Sequence, residues 1–147
     1  MCKNLIQTRA DVSALVLRVA LAIVFFPHGA QKVLGWFGGH GFGATLASFT
    51  DKMHIPLILA VLVIAAEFLG PIALLLGFLT RLAAFGIAAV MAGAIWMVHI
   101  NNGFFMNWSG MQQGEGIEYH LLAIAIAAAL MIKGAGSFSI DKKLSKT

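Results

Sequence analysis

The sequence predicts an all-α integral membrane protein, a four-helix bundle with both termini in the cytoplasm. Of its 147 residues, 60% are hydrophobic and only 11% are charged, and the mean hydropathy is +0.90. Soluble domains carry roughly 25% charged residues, so a soluble protein is excluded. Spans of about 20 residues fill most of the chain, and we therefore predict a single transmembrane domain over 1–147.

Four apolar stretches supply the predicted spans, at about 13–34, 55–77, 81–99 and 117–133. An amphipathic helix lying in the membrane interface is predicted at about 42–53, where apolar residues recur on one helical face. A cleaved signal peptide is the rival interpretation of the first stretch. The stretch is long, however, and no small-residue cleavage site follows it before Lys32.

The distribution of basic residues decides the predicted orientation and makes a nucleic-acid partner unnecessary. The cysteine count excludes thiol chemistry. Seven of them fall on the side that holds both termini: Lys3, Arg9, Arg81, Lys133, Lys142, Lys143 and Lys146. The positive-inside rule places that side in the cytoplasm, and this topology explains the net charge of +4 without a nucleic-acid partner. The only cysteine is Cys2, so internal disulfides and thiol relays are excluded.

Two charged residues, Arg18 and Glu67, lie deep in the cytoplasmic half of the predicted spans, and their charges have to be paired. A charge in the hydrocarbon region is costly unless it is paired or faces the bundle interior. At 1.5 Å per residue, Arg18 and Glu67 lie roughly 9 and 12 Å from the cytoplasmic edge. We therefore predict a structural ion pair between Arg18 and Glu67 that locks the first two spans together.

A second polar group lies at the opposite, outer end of the predicted bundle. Its members project to within roughly 10 Å of that surface, and the candidates are His28, Lys32, His99, Asn102 and Glu118. A quinone head group suits them, because it needs donors for two carbonyl oxygens and an apolar slot open to lipid. In this interpretation His28 and His99 contact the head group, and Lys32 stabilises developing oxyanion charge.

Two other interpretations of these residues stay open. Imidazoles and carboxylates also bind zinc or iron, but no HxxxH or ExxH pair occurs and Lys32 opposes a cation, so no metal site is predicted. Histidines and asparagines at span ends are also often interfacial residues that water satisfies. No covalent cofactor is predicted.

Taken together, the polar motifs resemble the DoxX family of small bacterial inner-membrane proteins. The resemblance runs from about Val16 to Asp141 and rests on Arg18, His28-Gly29-x-x-Lys32, Glu67, Leu76-Gly77-x-x-Thr80-Arg81, His99, Asn102-Gly103, Glu118-Tyr119-His120-Leu121 and Gly134-x-Gly136-x-x-Ser139-x-Asp141. It implies a four-helix bundle of the bacterial inner membrane. The resemblance also implies that the family's polar signature falls on these residues of the chain: Arg18, His28, Lys32, Glu67, Arg81, His99, Asn102 and Glu118.

The resemblance also implies a link to redox metabolism. Members of the family are linked to thiosulfate oxidation feeding quinone, to detoxification of aromatics and quinones, and to oxidative-stress assemblies with partner enzymes. This chain lacks the extra soluble module of the thiosulfate-oxidising relatives, which puts that activity in doubt. We expect a quinone-associated redox subunit whose partners are the lipid bilayer, quinone and a redox protein.

Other functions and a homo-oligomeric state are left open by the sequence. A non-catalytic membrane scaffold or a small-solute carrier is the alternative from a different functional class. A membrane enzyme acting directly on aromatic substrates is a third.

Overall fold

The computed structural model describes residues 5–145, and all regular structure within them is helical. The helices are α1 (Val12–Val33), α2 (Gly41–Ala47), α3 (Leu57–Leu76), α4 (Thr80–Ala94), α5 (Glu118–Lys133) and α6 (Ile140–Leu144). A π turn at Ser48–Lys52 extends α2, and a π turn at Ile95–His99 with a 3-10 turn at Ile100–Asn102 extends α4. Helix α6 was not predicted. The other segments, with their π and 3-10 extensions, lie within three residues of the predicted ones at each end, and the all-α prediction is confirmed.

Three helical segments in residues 5–145 are long and apolar enough to cross a membrane, namely Val12–Val33, Leu57–Leu76 and Thr80–Asn102. Helix α5 has 16 residues. At a rise of 1.5 Å per residue it is about 24 Å long, which is less than the hydrocarbon thickness of a typical bilayer. The chain is therefore a membrane protein with three span-length helices and one shorter apolar helix.

The four longer helices pack in a ring. Helix α1 packs mainly on α3, α3 on α4 and α4 on α5, while α1 and α5 share the smallest contact. Fully or almost fully buried alanines let the backbones approach closely: Ala14, Ala22, Ala60, Ala84, Ala123 and Ala127. We call the end that holds residues 5–11 and 134–145 the terminal end. The opposite end, with the loop 103–117, is the distal end.

Arg18 is fully buried near the terminal end and binds four backbone carbonyls. Its guanidinium donates to the carbonyl oxygens of Leu74 at 2.9 Å, Leu75 at 3.3 Å, Ser137 at 2.9 Å and Phe138 at 3.1 Å. The first two belong to the last turn of α3, where carbonyls lack helical partners and carry the negative end of the helix dipole. Arg18 thus joins α1, α3 and the segment that follows α5.

The predicted ion pair between Arg18 and Glu67 is wrong. Glu67 lies beside Gly29, since a Cβ atom added to Gly29 would be 2.1 Å from the Glu67 carbonyl oxygen. Counted along each helix, Gly29 is about 12 Å further from the terminal end of α1 than Glu67 is from the terminal end of α3. The prediction assumed that both helices end at one level. Instead, α3 ends further from the terminal end than α1 begins, and the segment 134–145 packs between the last turn of α3 and the terminal end.

Asp141 fixes that segment to the start of α4. Its carboxylate accepts hydrogen bonds from the backbone N–H groups of Leu79 at 2.8 Å and Thr80 at 3.0 Å, which otherwise lack partners at a helix start. Gly77, between α3 and α4, has a φ of 65°. A Cβ atom there would lie 2.3 Å from Arg18 Nη1, so the tight turn and the arginine both require glycine.

The ends of α1 and α5 are joined at the same level. Lys133 Nζ lies 2.7 Å from Asp11 Oδ2, and Asp11 caps α1 by accepting the Ser13 N–H at 2.8 Å. Hydrogen bonds from Lys133 and Ser13 hold the pKa of the Asp11 carboxyl well below its usual range. Arg81 donates to carbonyl oxygens in the last turn of α5. The terminal end is therefore a structural hydrogen-bonded network.

Replacing Arg18 by lysine should destabilise the bundle, because one ammonium group cannot span carbonyls that a planar guanidinium reaches together. We expect a loss of about 2 kcal/mol or more, measured as a lower thermal unfolding midpoint in detergent. The control is Arg9→Lys at an exposed position, which should leave the midpoint unchanged. Equal midpoints for Arg18→Lys and the original chain would contradict the assignment.

Replacing Gly29 by alanine should force α1 and α3 apart, because the added methyl group would overlap the backbone of Glu67. Overpacking of this kind costs about 1–3 kcal/mol, again seen as a lower unfolding midpoint. In the matched variant Gly93→Ala, the new Cβ atom meets nothing within 4 Å. The two variants should therefore differ clearly, and similar midpoints would refute the close contact.

Candidate functional site

A cavity of about 380 Å³ lies in the distal half of the bundle. It is lined by Val24, Phe25 and His28 of α1, Glu67 of α3, Met91 of α4, His99 of the π turn, Met106 and Glu115 of the loop, and Tyr119 and His120 of α5. Polar side chains thus come from α1, α3, α5, the π turn that extends α4 and the loop 103–117. Towards the terminal end the cavity gives way to buried apolar side chains, including Leu21, Ile87 and Leu130.

Glu67 reaches the cavity because α1 and α3 are in backbone contact beside it. Gly29 has no side chain to hold the helices apart, and Pro71 has no N–H for the Glu67 carbonyl, which therefore lacks its usual helical donor. Lys32, about one turn beyond Gly29, places its Nζ 3.0 Å from Glu67 Oε1. The side chains of Lys32 and Glu67 are 23% and 7% exposed, so this ion pair lies mostly inside the protein.

Three buried polar atoms on residues of the cavity wall have no hydrogen-bond partner within residues 5–145: Glu67 Oε2, Tyr119 Oη and His120 Nδ1. Glu67 and His120 are each only 5% exposed. An unsatisfied buried polar atom costs about 1–3 kcal/mol, so native proteins rarely keep one without a reason such as a bound ligand or water. The three atoms therefore mark the cavity as a candidate binding site.

Two aromatic rings of the cavity wall lie against each other. The ring of Phe25 stacks on that of Tyr119, with centroids 6.3 Å apart and planes at 24°. The imidazole of His28 lies 6.4 Å from Phe25 on another side. An aromatic surface with polar atoms at its edge suits a planar ring that carries oxygen atoms.

Two histidines from different elements meet on the opposite side. The rings of His99 and His120 are 4.2 Å apart, and His99 Nδ1 lies 2.8 Å from the carbonyl oxygen of Glu115. Because a carbonyl oxygen only accepts hydrogen bonds, Nδ1 carries the proton, and Nε2 of the neutral ring is an acceptor. In the described part of the chain, no three His, Cys, Asp or Glu side chains converge closely enough to hold a metal ion.

The residues predicted to contact a head group separate into two sets. His28 and His99 line the cavity, whereas Lys32, Asn102 and Glu118 are not part of its lining. Lys32 was predicted to lie beside the head group, but its ammonium pairs with Glu67 instead.

Asn102 and Glu118 hold the loop 103–117 over the distal side of the cavity. Asn102 Nδ2 donates to the carbonyl oxygen of Glu115 at 3.2 Å. Glu118 Oε1 accepts the backbone N–H of Met106 at 2.8 Å. Since Met106 and Glu115 both line the cavity, these bonds position two parts of its wall.

Sequence reasoning does not find Tyr119 or Glu115, and it gives Glu67 only a structural role. A tyrosine at the start of a span is typical of an interfacial anchor. Tyr119, between Glu118 and His120, therefore does not stand out as a candidate site residue. The shared motif that contains all three is the signal that could find it. Glu115 lies in an irregular loop, and no periodicity indicates where its side chain points.

Comparison with known proteins identifies the family of this chain. The DoxX family model matches residues 13–100. The chain is 31% identical over 136 residues to the inner membrane protein YqjF of Escherichia coli K12, covering 92% of this chain and 95% of that protein. It is 25% identical over 131 residues to a Bacillus subtilis 168 protein named "Putative oxidoreductase CatD", covering 89% and 86%. No solved structure matches. With a family model that matches more than half of its length and a relative similar over nearly all of it, the chain belongs to the DoxX family.

Proposed function

We propose that this protein is a quinone-associated redox subunit of the bacterial inner membrane that binds a quinone-type head group in the distal cavity. The observation that carries the proposal is the set of three unpartnered buried atoms, Glu67 Oε2, Tyr119 Oη and His120 Nδ1. The three residues that carry them line one cavity, together with the aromatic ring of Phe25. A ligand ring with oxygen substituents would satisfy the three atoms and stack on Phe25.

The size of the cavity supports a ligand of this kind. Small-molecule sites usually measure about 300–1,000 Å³ and are mostly apolar, with a few polar groups that fix the orientation. At about 380 Å³, the cavity accommodates a substituted single ring and leaves little room for more. Phe25, Val24 and Met91 supply apolar lining, and the histidines and Tyr119 supply the polar groups.

The contact between α1 and α5 offers a route for a hydrocarbon tail. This is the smallest contact between neighbouring helices of the ring. Val24 lines the cavity and is 41% exposed. A ligand with its ring in the cavity can therefore extend its tail past Val24 into the acyl chains of the membrane.

In the topology that we propose, all four longer helices cross the inner membrane and both termini lie in the cytoplasm. Basic residues concentrate at the terminal end, as the positive-inside rule requires of a cytoplasmic face. The similarity to an inner membrane protein of Escherichia coli supports the same membrane. The cavity and the loop 103–117 then lie on the periplasmic side.

The redox part of the proposal concerns electron supply. Conversion of a quinone to its quinol takes up two electrons and two protons. Side chains on the cavity wall, such as His28 and Glu67, can exchange protons with the head group, and the electrons would come from a redox partner enzyme. The name of the similar Bacillus subtilis protein supports an oxidoreductase setting.

A carrier is less well supported than a binding subunit. Passage of a solute needs a polar route that opens to each side in turn, whereas the terminal half of the bundle is filled by apolar core residues and by Arg18 with its four carbonyl partners. A scaffold without a ligand site would leave the unpartnered polar atoms on residues of the cavity wall unexplained.

Binding of a short-tailed quinone tests the proposal. Purified protein in detergent should bind decylubiquinone in calorimetric titration, and His28→Ala and Tyr119→Phe should each weaken the affinity roughly tenfold, which corresponds to one lost hydrogen bond or ring contact. His40→Ala, which replaces a histidine outside the cavity, is the control and should bind normally. Unchanged affinity in both cavity variants would reject this site.

A further inference from the structure

The buried carboxylate of Glu67 offers a lone acceptor to whatever occupies the cavity. Its Oε1 accepts a hydrogen bond from Lys32 Nζ at 3.0 Å. Its Oε2 is buried and has no partner in the described chain. The two oxygens of one carboxyl group are therefore in different situations, one satisfied by the protein and the other left for a ligand.

The adjacent ammonium determines what Oε2 can do. In an ion pair with Lys32 the carboxyl group is an ionised carboxylate, which only accepts hydrogen bonds. Hydrogen bonds to a charged acceptor are stronger than those between neutral groups. A ligand that fits must therefore bring an O–H or N–H donor to Glu67.

His99 adds a further acceptor to the cavity. Its Nδ1 proton is used by the Glu115 carbonyl, so Nε2 of the neutral imidazole only accepts hydrogen bonds. The hydroxyl of Tyr119, which has no partner in the described residues, can donate or accept. Glu67 Oε2 and His99 Nε2 are thus fixed acceptors, whereas Tyr119, His28 and His120 can each donate or accept.

We propose that the cavity prefers the reduced, hydroxyl-bearing form of its ring ligand, a quinol or another dihydroxylated aromatic, over the quinone. One ring hydroxyl donates to Glu67 Oε2, and the second ring oxygen meets Tyr119. A quinone has only carbonyl acceptors, so it would leave Oε2 unpaired and would place like partial charges together. Sites built to bond a hydroxyl reject analogues without one for this reason. This inference rests on the proposed function, because it concerns the same cavity.

The test compares two pairs of ligands on the unaltered protein. The first pair is decylubiquinol and decylubiquinone, titrated without oxygen. The members of the second pair differ by methylation and not by oxidation state: they are a decyl-substituted hydroquinone and its dimethyl ether, which has the same ring but no donor. In each pair we expect the hydroxylated ligand to bind at least roughly tenfold more tightly, as expected for one hydrogen bond to a charged acceptor.

A variant pair tests whether Glu67 is the cause. Glu67→Gln replaces an oxygen by an N–H donor, so the preference for the hydroxylated ligand should fall to about twofold or less. Asp11→Asn removes the other lysine–carboxylate pair, at the terminal end, and should keep the full preference. If Glu67→Gln does not fold because Lys32 loses its partner, the ligand pairs on the unaltered chain decide alone.

The outcomes separate this inference from the proposed function. Equal affinity within both ligand pairs, or tighter binding of the quinone and the ether, would overturn the preference and leave quinone binding intact. Such a result would assign a water molecule to Glu67 Oε2. Failure of all four ligands to bind would overturn both proposals.

Discussion

The backbone contact between Gly29 and Glu67 is the constraint on which the rest of the structure depends. It fixes the register of α1 against α3, and this register brings Glu67 to Lys32 and leaves Arg18 level with the last turn of α3. A one-turn slip in either direction would leave a carboxylate and an ammonium apart inside an apolar bundle, where each unpaired charge is costly. The glycine therefore sets the electrostatics of the interior without carrying a charge.

The two ends of the bundle use their polar residues differently. At the terminal end, Arg18 and Arg81 satisfy carbonyls at the ends of α3 and α5, and Asp141 satisfies amides at the start of α4. Both ends keep unpartnered buried atoms within residues 5–145: Arg18 Nε, Thr80 Oγ1 and Arg81 Nε at the terminal end, and Glu67 Oε2, Tyr119 Oη and His120 Nδ1 at the distal end. The residues of the distal three line a cavity. The cavity, and not the unpartnered atoms alone, therefore distinguishes the residues available to a ligand from those that hold the fold.

The helices could be predicted from the sequence because long apolar runs leave few alternatives for a chain in a membrane. The partner of Arg18 could not, because backbone carbonyls are acceptors that a reading of side chains overlooks. The depth estimate for Glu67 assumed that neighbouring helices end at one level, and the segment 134–145 under α3 breaks that assumption. His28 and His99 were found because polar residues at span ends stand out, whereas Glu115 in an irregular loop gave no signal.

In the proposed function, the loop 103–117 and the small contact between α1 and α5 together determine where the ligand comes from. The loop is bonded to His99, Asn102 and Glu118 and positions part of the distal wall of the cavity, and the proposed route past Val24 leads to the hydrocarbon phase. A molecule that enters there is drawn from the pool dissolved in the bilayer. Occupancy then follows the mole fraction of that molecule among the lipids, and a weak intrinsic affinity suffices for a compound that partitions strongly out of water.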